Sequence, residues 1–165
     1  MSSLRVLIVG IGNPWCTDDG FGPAVIEQLD AQADVHDSRC CHRAVHQLMP
    51  ELAAELTDVD LVVFVDASTD GTSGEVSCVP IVPGPERLTA ISHVLEPAGL
   101  LQLAGQLYGA APAAWLVTVR GESFDPQRPK LTPGVAGAVE PAVQLVRQLV
   151  DQFLSRDHLT GCRNG

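Results

Sequence analysis

The sequence lacks a surplus of positive charge: across 165 residues, 10 lysines and arginines stand against 20 aspartates and glutamates, a formal charge of −10. A surface that acidic repels a phosphate backbone and anionic lipid alike, so neither nucleic acid nor a membrane is an expected partner. Long apolar runs are missing too. Stretches such as Leu61 to Val65 fall far short of the roughly 20 residues a spanning helix needs. Met1 to Gly12 places Arg5 directly before four apolar residues and carries no small-residue cleavage pattern, so no secretory signal is expected and the cytoplasm is the expected compartment. The five cysteines (Cys16, Cys40, Cys41, Cys78, Cys162) form an odd set without a Cys-x-x-Cys pair, which fits neither a zinc ribbon nor a disulfide framework. Reduced thiols in a reducing compartment are the plainer expectation.

What is present is enough for one packed domain. The chain is 45% hydrophobic, and its 15 glycines and 12 prolines fall between apolar runs instead of clustering. Val6 to Val9, closed by Gly10, reads as a strand buried on both faces. A helix from about Gly20 to Leu29 follows, with Thr17 and Asp18 as candidate caps. Val35 to Cys41 is a weaker strand, and Leu48, Leu52 and Leu56 lie on one side of a helix over Gln47 to Leu56. Leu61 to Val65, ending at Asp66, is the most strand-like run and is expected at the centre of a sheet. Glu75 to Val82 and Trp115 to Val119 read as further strands around a helix that Pro97 starts and Gly109 stops after Tyr108. A last helix opens at Pro133 behind Thr132, with Pro141 expected to kink or interrupt it. Alternating strands and helices predict a three-layer α/β domain over residues 1–155, its five-stranded twisted sheet mostly parallel and covered by helices on both faces. The polar, aperiodic segment from Arg156 to Gly165 is expected to be a frayed tail.

Ligands of open α/β sheets bind beyond the carboxyl ends of the strands, which directs attention to the loops after Val9, Val65 and Val82. Two of them carry acids. Gly10 to Gly22 contains Asp18 and Asp19, and Val65 is followed by Asp66. A carboxylate at the end of an apolar strand is costly unless a cation, a donor or a substrate proton meets it. Dinucleotide binding is a poor reading of the first loop, because Trp15 stands where Gly-x-Gly-x-x-Gly needs its last glycine and no acid closes the second strand for a ribose. Capping explains one of Asp18 and Asp19 better than both, and Gly12, Gly20 and Gly22 suggest backbone pressed close to something bound. Asp19 or its neighbour, Asp66 and His93 would form an O,O,N donor set suited to a borderline divalent ion such as nickel, zinc or cadmium. His42 and His46, four apart, are a weaker metal pair. Ser68 and Ser92 lack a Gly-x-Ser-x-Gly elbow and no cysteine has a clear basic partner, which disfavours nucleophilic catalysis.

Taken in order, Gly10-Ile-Gly-Asn13, Asp18-Asp19-Gly20-x-Gly22, Val65-Asp66-Ala67, Ser92-His93, Gly121-Glu122-Ser123, Leu131-Thr132-Pro133 and Glu140-Pro141 resemble the hydrogenase maturation proteases across most of the chain. The resemblance implies a phosphorylase/hydrolase-like α/β fold. It also implies an endopeptidase that removes the C-terminal extension of a nickel-iron hydrogenase large-subunit precursor after nickel insertion. Asp19, which is Glu in some members, and Asp66 would be the catalytic acids, and with His93 they would contact nickel. That nickel arrives with the substrate, and no tightly bound organic cofactor is implied. Gly12, Asn13 and Asp18 are the implied substrate contacts. Water activation by nickel and by a carboxylate are both chemically sensible here. Two departures stand out: Ser68 to Gly74 lacks the Pro-Gly-Thr common after the second acid, and Asp19 reaches about one methylene less far than Glu. A non-catalytic nickel chaperone would use the same donor set, and a nucleotide-binding enzyme would need Gly10 and Gly12 for phosphates.

Overall fold

The computed structural model describes residues 5–32, 38–84 and 94–160. Strand β1 (Val6–Ile11) is buried along its whole length, as a run apolar on both faces must be inside a sheet. With β2 (Cys40–Val45), β3 (Leu61–Ser68), β4 (Val76–Ile81) and β5 (Ala113–Arg120) it forms one sheet in the order β2-β1-β3-β5-β4. β1 runs parallel to β2 and β3, and β3 parallel to β5, while β4 is antiparallel to β5 at the edge. The expected five-stranded, mostly parallel architecture is therefore the one formed, with the Leu61–Val65 run in its middle.

Side-chain alternation splits the core into two layers. Val6, Ile8, Val63 and Val65 pack toward α1 (Phe21–Ala31) and α4 (Pro133–Thr160). Leu7, Val9, Val62 and Phe64 pack toward α2 (Leu52–Glu55) and α3 (Pro97–Tyr108). Asp66 keeps step with Val62 and Phe64, so it leaves the sheet on the α3 side where burial of β3 gives way to partial exposure. α3 has the predicted bounds: Pro97 opens it and Gly109, at φ 78°, takes the left-handed position that ends it.

Several expectations are corrected. Pro50 removes a donor and turns Met49 away from helical geometry, so the helix expected from Gln47 shrinks to α2 and a 3-10 turn at Leu56–Asp58. β2 runs from Cys40 to Val45, later than Val35 to Cys41, and residues 33–37 lie outside the described set. Because β4 is antiparallel, Ile81 pairs with Ala114 near the start of β5, and the loop after Val82 leaves from the sheet edge opposite Asp66. Pro141 does not interrupt α4. Its ring and the Gly137 carbonyl it crowds lie on the exposed face, where the freed acceptor is open to solvent. α4 also continues through Thr160, past the Arg156 boundary of the expected tail; residues 161–165 are outside the described set. No helix among the described residues is long and apolar enough to cross a membrane.

The glycines of the first loop press on protein, not on a ligand. A Cβ on Gly22 would meet Ile11 O at 2.3 Å and Val65 O at 2.6 Å, and one on Gly10 would meet Gly22 O at 2.4 Å. They let α1 sit directly on β1 and β3. Gly22→Ala is expected to cost about 3 kcal/mol, since the obstructing atoms are strand backbone that cannot step aside. Gly137→Ala, at a position where a Cβ meets nothing within 4 Å, should instead gain about 0.5 to 1 kcal/mol. Urea midpoints of the two variants check this, and equal midpoints would contradict the packing described.

Candidate active site

The loop after β1 is built by hydrogen bonds to Asn13. Its Oδ1 accepts the Trp15 N–H at 3.0 Å, its carbonyl accepts the Cys16 N–H at 3.0 Å, and its own N–H donates to Asp19 Oδ2 at 2.7 Å. Gly12, at φ 136°, is required because a Cβ there would lie 1.8 Å from the Asp19 carbonyl oxygen. Gly12 and Asn13 therefore shape the turn that aims Asp19. Neither Thr17 nor Asp18 caps α1, which begins at Gly20 without a side-chain bond. Thr17 instead adopts φ 40°, costly for a β-branched residue, and is held there by bonds between its hydroxyl and the backbone of Asp125.

Asp18 and Asp19 point to different fates. Asp18 is 0% exposed, and its carboxylate accepts the N–H groups of Glu122, Ser123 and Thr132 at 2.7, 3.0 and 2.7 Å together with the Thr132 hydroxyl. Burial alone would raise its pKa, but the donors from Thr132, Ser123 and Glu122 outweigh it and hold the carboxyl below the usual 3.8. A side chain so enclosed has no surface for substrate, which corrects the expectation that it is a contact residue. It fastens the loop after β5 and the entry to α4 onto the loop that carries Asp19.

Asp66 is the opposite case. Its Oδ1 takes one N–H, from Ala67 at 2.8 Å. Desolvation pushes its pKa up to about 7, against that single bond and with a further push from the Asp19 charge. Asp19 and Asp66 line one cavity of about 440 Å³ with Ile11, His46, Leu48, Val94 and Glu96 among its other walls. The structure thus brings together the two acids singled out in the sequence. His93 lies outside the described residues, although its neighbour Val94 is in the wall. Among the described residues no lysine or arginine lines the cavity, so the field of these walls favours a cation.

Of two further wall residues, Glu96 escaped the sequence reading and His46 entered it only as half of a weaker metal pair with His42. His46 immediately follows β2, and ending that strand at Cys41 concealed a position that the strand-end rule would have found. Its supposed partner His42 stands on β2 with Nδ1 2.6 Å from Asp30 Oδ1, so the two imidazoles do not share a site. Among the described residues no three His, Cys, Asp or Glu side chains are grouped to hold a metal ion unaided. Asp19 and Asp66 offer two carboxylates to the cavity, fewer than a metal ion takes, so these two alone do not complete a coordination sphere.

No protein-family model matches the sequence, and no curated protein is significantly similar to it. Solved structures are another matter. The chain superposes on the hydrogenase maturating endopeptidase HybD from E. coli with a TM-score of 0.73 at 24% identity, over 90% of this chain and 93% of that one. The fold is that of the hydrogenase maturation proteases. An endopeptidase from E. coli matches with TM-score 0.68 and 26% identity over 87% and 90% of the two chains. A hydrogenase 2 maturation peptidase from a Thaumarchaeota archaeon matches with TM-score 0.64 and 26% identity over 88% and 97%. The motifs that resemble the maturation proteases also acquire physical roles, since Glu122, Ser123 and Thr132 are the donors to Asp18 and Glu140 binds Gln28 and Gln32 of α1 and its C-terminal flank.

Two outcomes follow for this maturation-protease fold. Asp18→Ala leaves three part-buried N–H groups without their acceptor and should cost about 2 to 3 kcal/mol, read from denaturant unfolding at neutral pH. Because the Asp18 pKa is depressed, its contribution is present above 3.8 and is lost as the pH falls below that value. Asp66 works in the other direction. The folded state holds its proton more tightly than the unfolded chain, so wild-type stability should fall as pH rises from 3.8 to about 7. Asp66→Asn should flatten that window and be the more stable protein at pH 8; a parallel pH dependence in both would contradict the desolvated carboxyl.

Proposed function

We propose that the chain is an endopeptidase that removes the C-terminal extension of a nickel-iron hydrogenase large-subunit precursor after nickel has been inserted, and that it recognises the nickel held by that precursor. The observation that carries this reading is the convergence of Asp19 and Asp66 on one cation-favouring cavity, within a fold shared with maturation peptidases. Asp19 is held in place by the Asn13 N–H. Asp66, desolvated and with a pKa near 7, gives up its proton readily when a cation arrives. Recognition of the metal-bearing segment therefore releases a proton and relieves a strained carboxyl. The same pKa suits Asp66 to move a proton for the attacking water at neutral pH. His93 is proposed as the imidazole contact, neutral when it binds.

The test is incubation with nickel-loaded and nickel-free precursor, followed by the shortening of the large subunit. The loaded form should be cut and the nickel-free form should not. Efficient cleavage of nickel-free precursor at the native bond would reduce the two acids to a general acid/base pair, and binding without any shortening would mark a chaperone. Asp19→Asn, Asp66→Asn and His93→Ala should each lower the rate by about 100-fold or more while remaining folded. A folded Asp66→Asn variant with wild-type activity would overturn the assignment.

A further inference from the structure

Two depressions adjoin one another outside the Asp19–Asp66 cavity. One, of about 480 Å³, has Ser123, Arg128, Lys130, Thr132 and Pro133 among its walls, and the other, of about 360 Å³, has Pro14, Gly20, Pro23, Ala24 and Glu27. Thr17, Pro129 and Leu131 line both, so together they make one groove between α1 and the start of α4. Gly20, in its α1 end, is the residue after Asp19, which puts the groove one residue from the candidate active site. Its shared wall is held in shape by the bonds already described for Thr17 and by the Thr17 N–H, which donates to the Arg128 carbonyl at 2.8 Å.

The charge at the α4 end opposes that of the chain. Against a formal charge of −10, this end carries Arg128 and Lys130, the only lysine in the sequence. Asp125 lies 3.6 Å from the Arg128 Nε and offsets it in part, but no acid among the described residues pairs with Lys130. The one acid among the described walls is Glu27, on α1 at the other end. Pro129 and Leu131 lie between and supply an apolar surface.

We propose that this groove takes the C-terminal extension of the precursor as an extended segment, with an aspartate or glutamate side chain of that segment at Arg128 and Lys130 and apolar side chains on Pro129 and Leu131. The inference rests on the endopeptidase reading above. A carboxylate complements the two cations, and a concavity of two joined depressions suits an extended chain whose successive side chains enter one and then the other. The segment then reaches the Gly20 end beside Asp19. Arg128 and Lys130 bind and orient; they take no part in bond breaking.

The experiment has two arms, both with full-length protein and nickel-loaded precursor. In the first, a precursor with an altered cleavage site is bound and treated with a carbodiimide, which joins an amine to a carboxylate only where the two touch, and the products are mapped by mass spectrometry. Lys130 should be coupled to an aspartate or glutamate of the extension. In the kinetic arm, Lys130→Glu should raise KM about tenfold or more, leave kcat within about twofold and leave the thermal midpoint unchanged, and Lys130→Arg should behave as wild type. Changing the coupled acid of the precursor to lysine should bring the KM of Lys130→Glu back to within about threefold of the wild-type pair, a rescue that a structural lysine would not show. Coupling of Lys130 to the body of the large subunit alone, no coupling at all, an unchanged KM in Lys130→Glu, or a fall in kcat with KM unchanged would each overturn the groove as the extension site. Failure of the wild type to cut any precursor would overturn the endopeptidase reading instead, while the coupling would still decide what the groove binds.

Discussion

The buried carboxylate of Asp18 is the interaction on which the rest of the site depends. Charges are seldom fully enclosed, because the loss of hydration must be replaced by donors already in place. Here those donors come from the loop after β5 and from the residue before α4, segments more than a hundred positions away in sequence. One ion thereby joins the carboxyl ends of β1 and β5 to the start of the longest helix. The loop carrying Asp19 cannot move without breaking several charge-assisted hydrogen bonds, so the position of Asp19 is fixed by a neighbour that is itself fully enclosed.

Against that rigid frame, Asp19 and Asp66 are left underserved. Asp18 receives four donors, whereas Asp66 receives one and pays for its burial with a pKa near neutrality. Similar side chains set in environments of opposite character are suited to opposite duties, Asp18 to fastening the loops and Asp66 to the chemical role proposed for it. The strain at Thr17, which forms part of the same knot, is the kind of backbone cost that persists only where surrounding bonds over-determine it.

Much of this was legible in the sequence wherever a local rule acts alone. Continuous apolar runs marked β1 and β3, and Pro97 with Gly109 marked both ends of α3. The two acids of the cavity could be found because Asp66 stands near the end of a buried strand and Asp19 in the loop that follows another. The reading failed where a tertiary partner decides. The doublet Asp18-Asp19 gives no hint of which acid will be buried, since the donors that enclose Asp18 are distant in the chain. Of the glycines that suggested a ligand, Gly22 serves helix-on-sheet contact and Gly12 a tight turn against Asp19, which look identical in sequence to a ligand cradle because all demand a missing Cβ. The direction of β4, and with it the side on which the Val82 loop emerges, is set by pairing to β5 and not by any residue in β4. The place of His46 at a strand end was hidden by a strand boundary misplaced by four residues.

The central claim is that Asp19 and Asp66 meet the metal carried by the substrate. X-ray absorption at the nickel edge tests it most directly, comparing nickel-loaded precursor alone with the same precursor bound to this protein, using a precursor whose cleavage site has been altered so that the complex persists. The account predicts new oxygen scatterers in the nickel sphere on binding, and their loss when Asp19→Asn and Asp66→Asn are combined. A nickel sphere that is identical in free and bound precursor would contradict it.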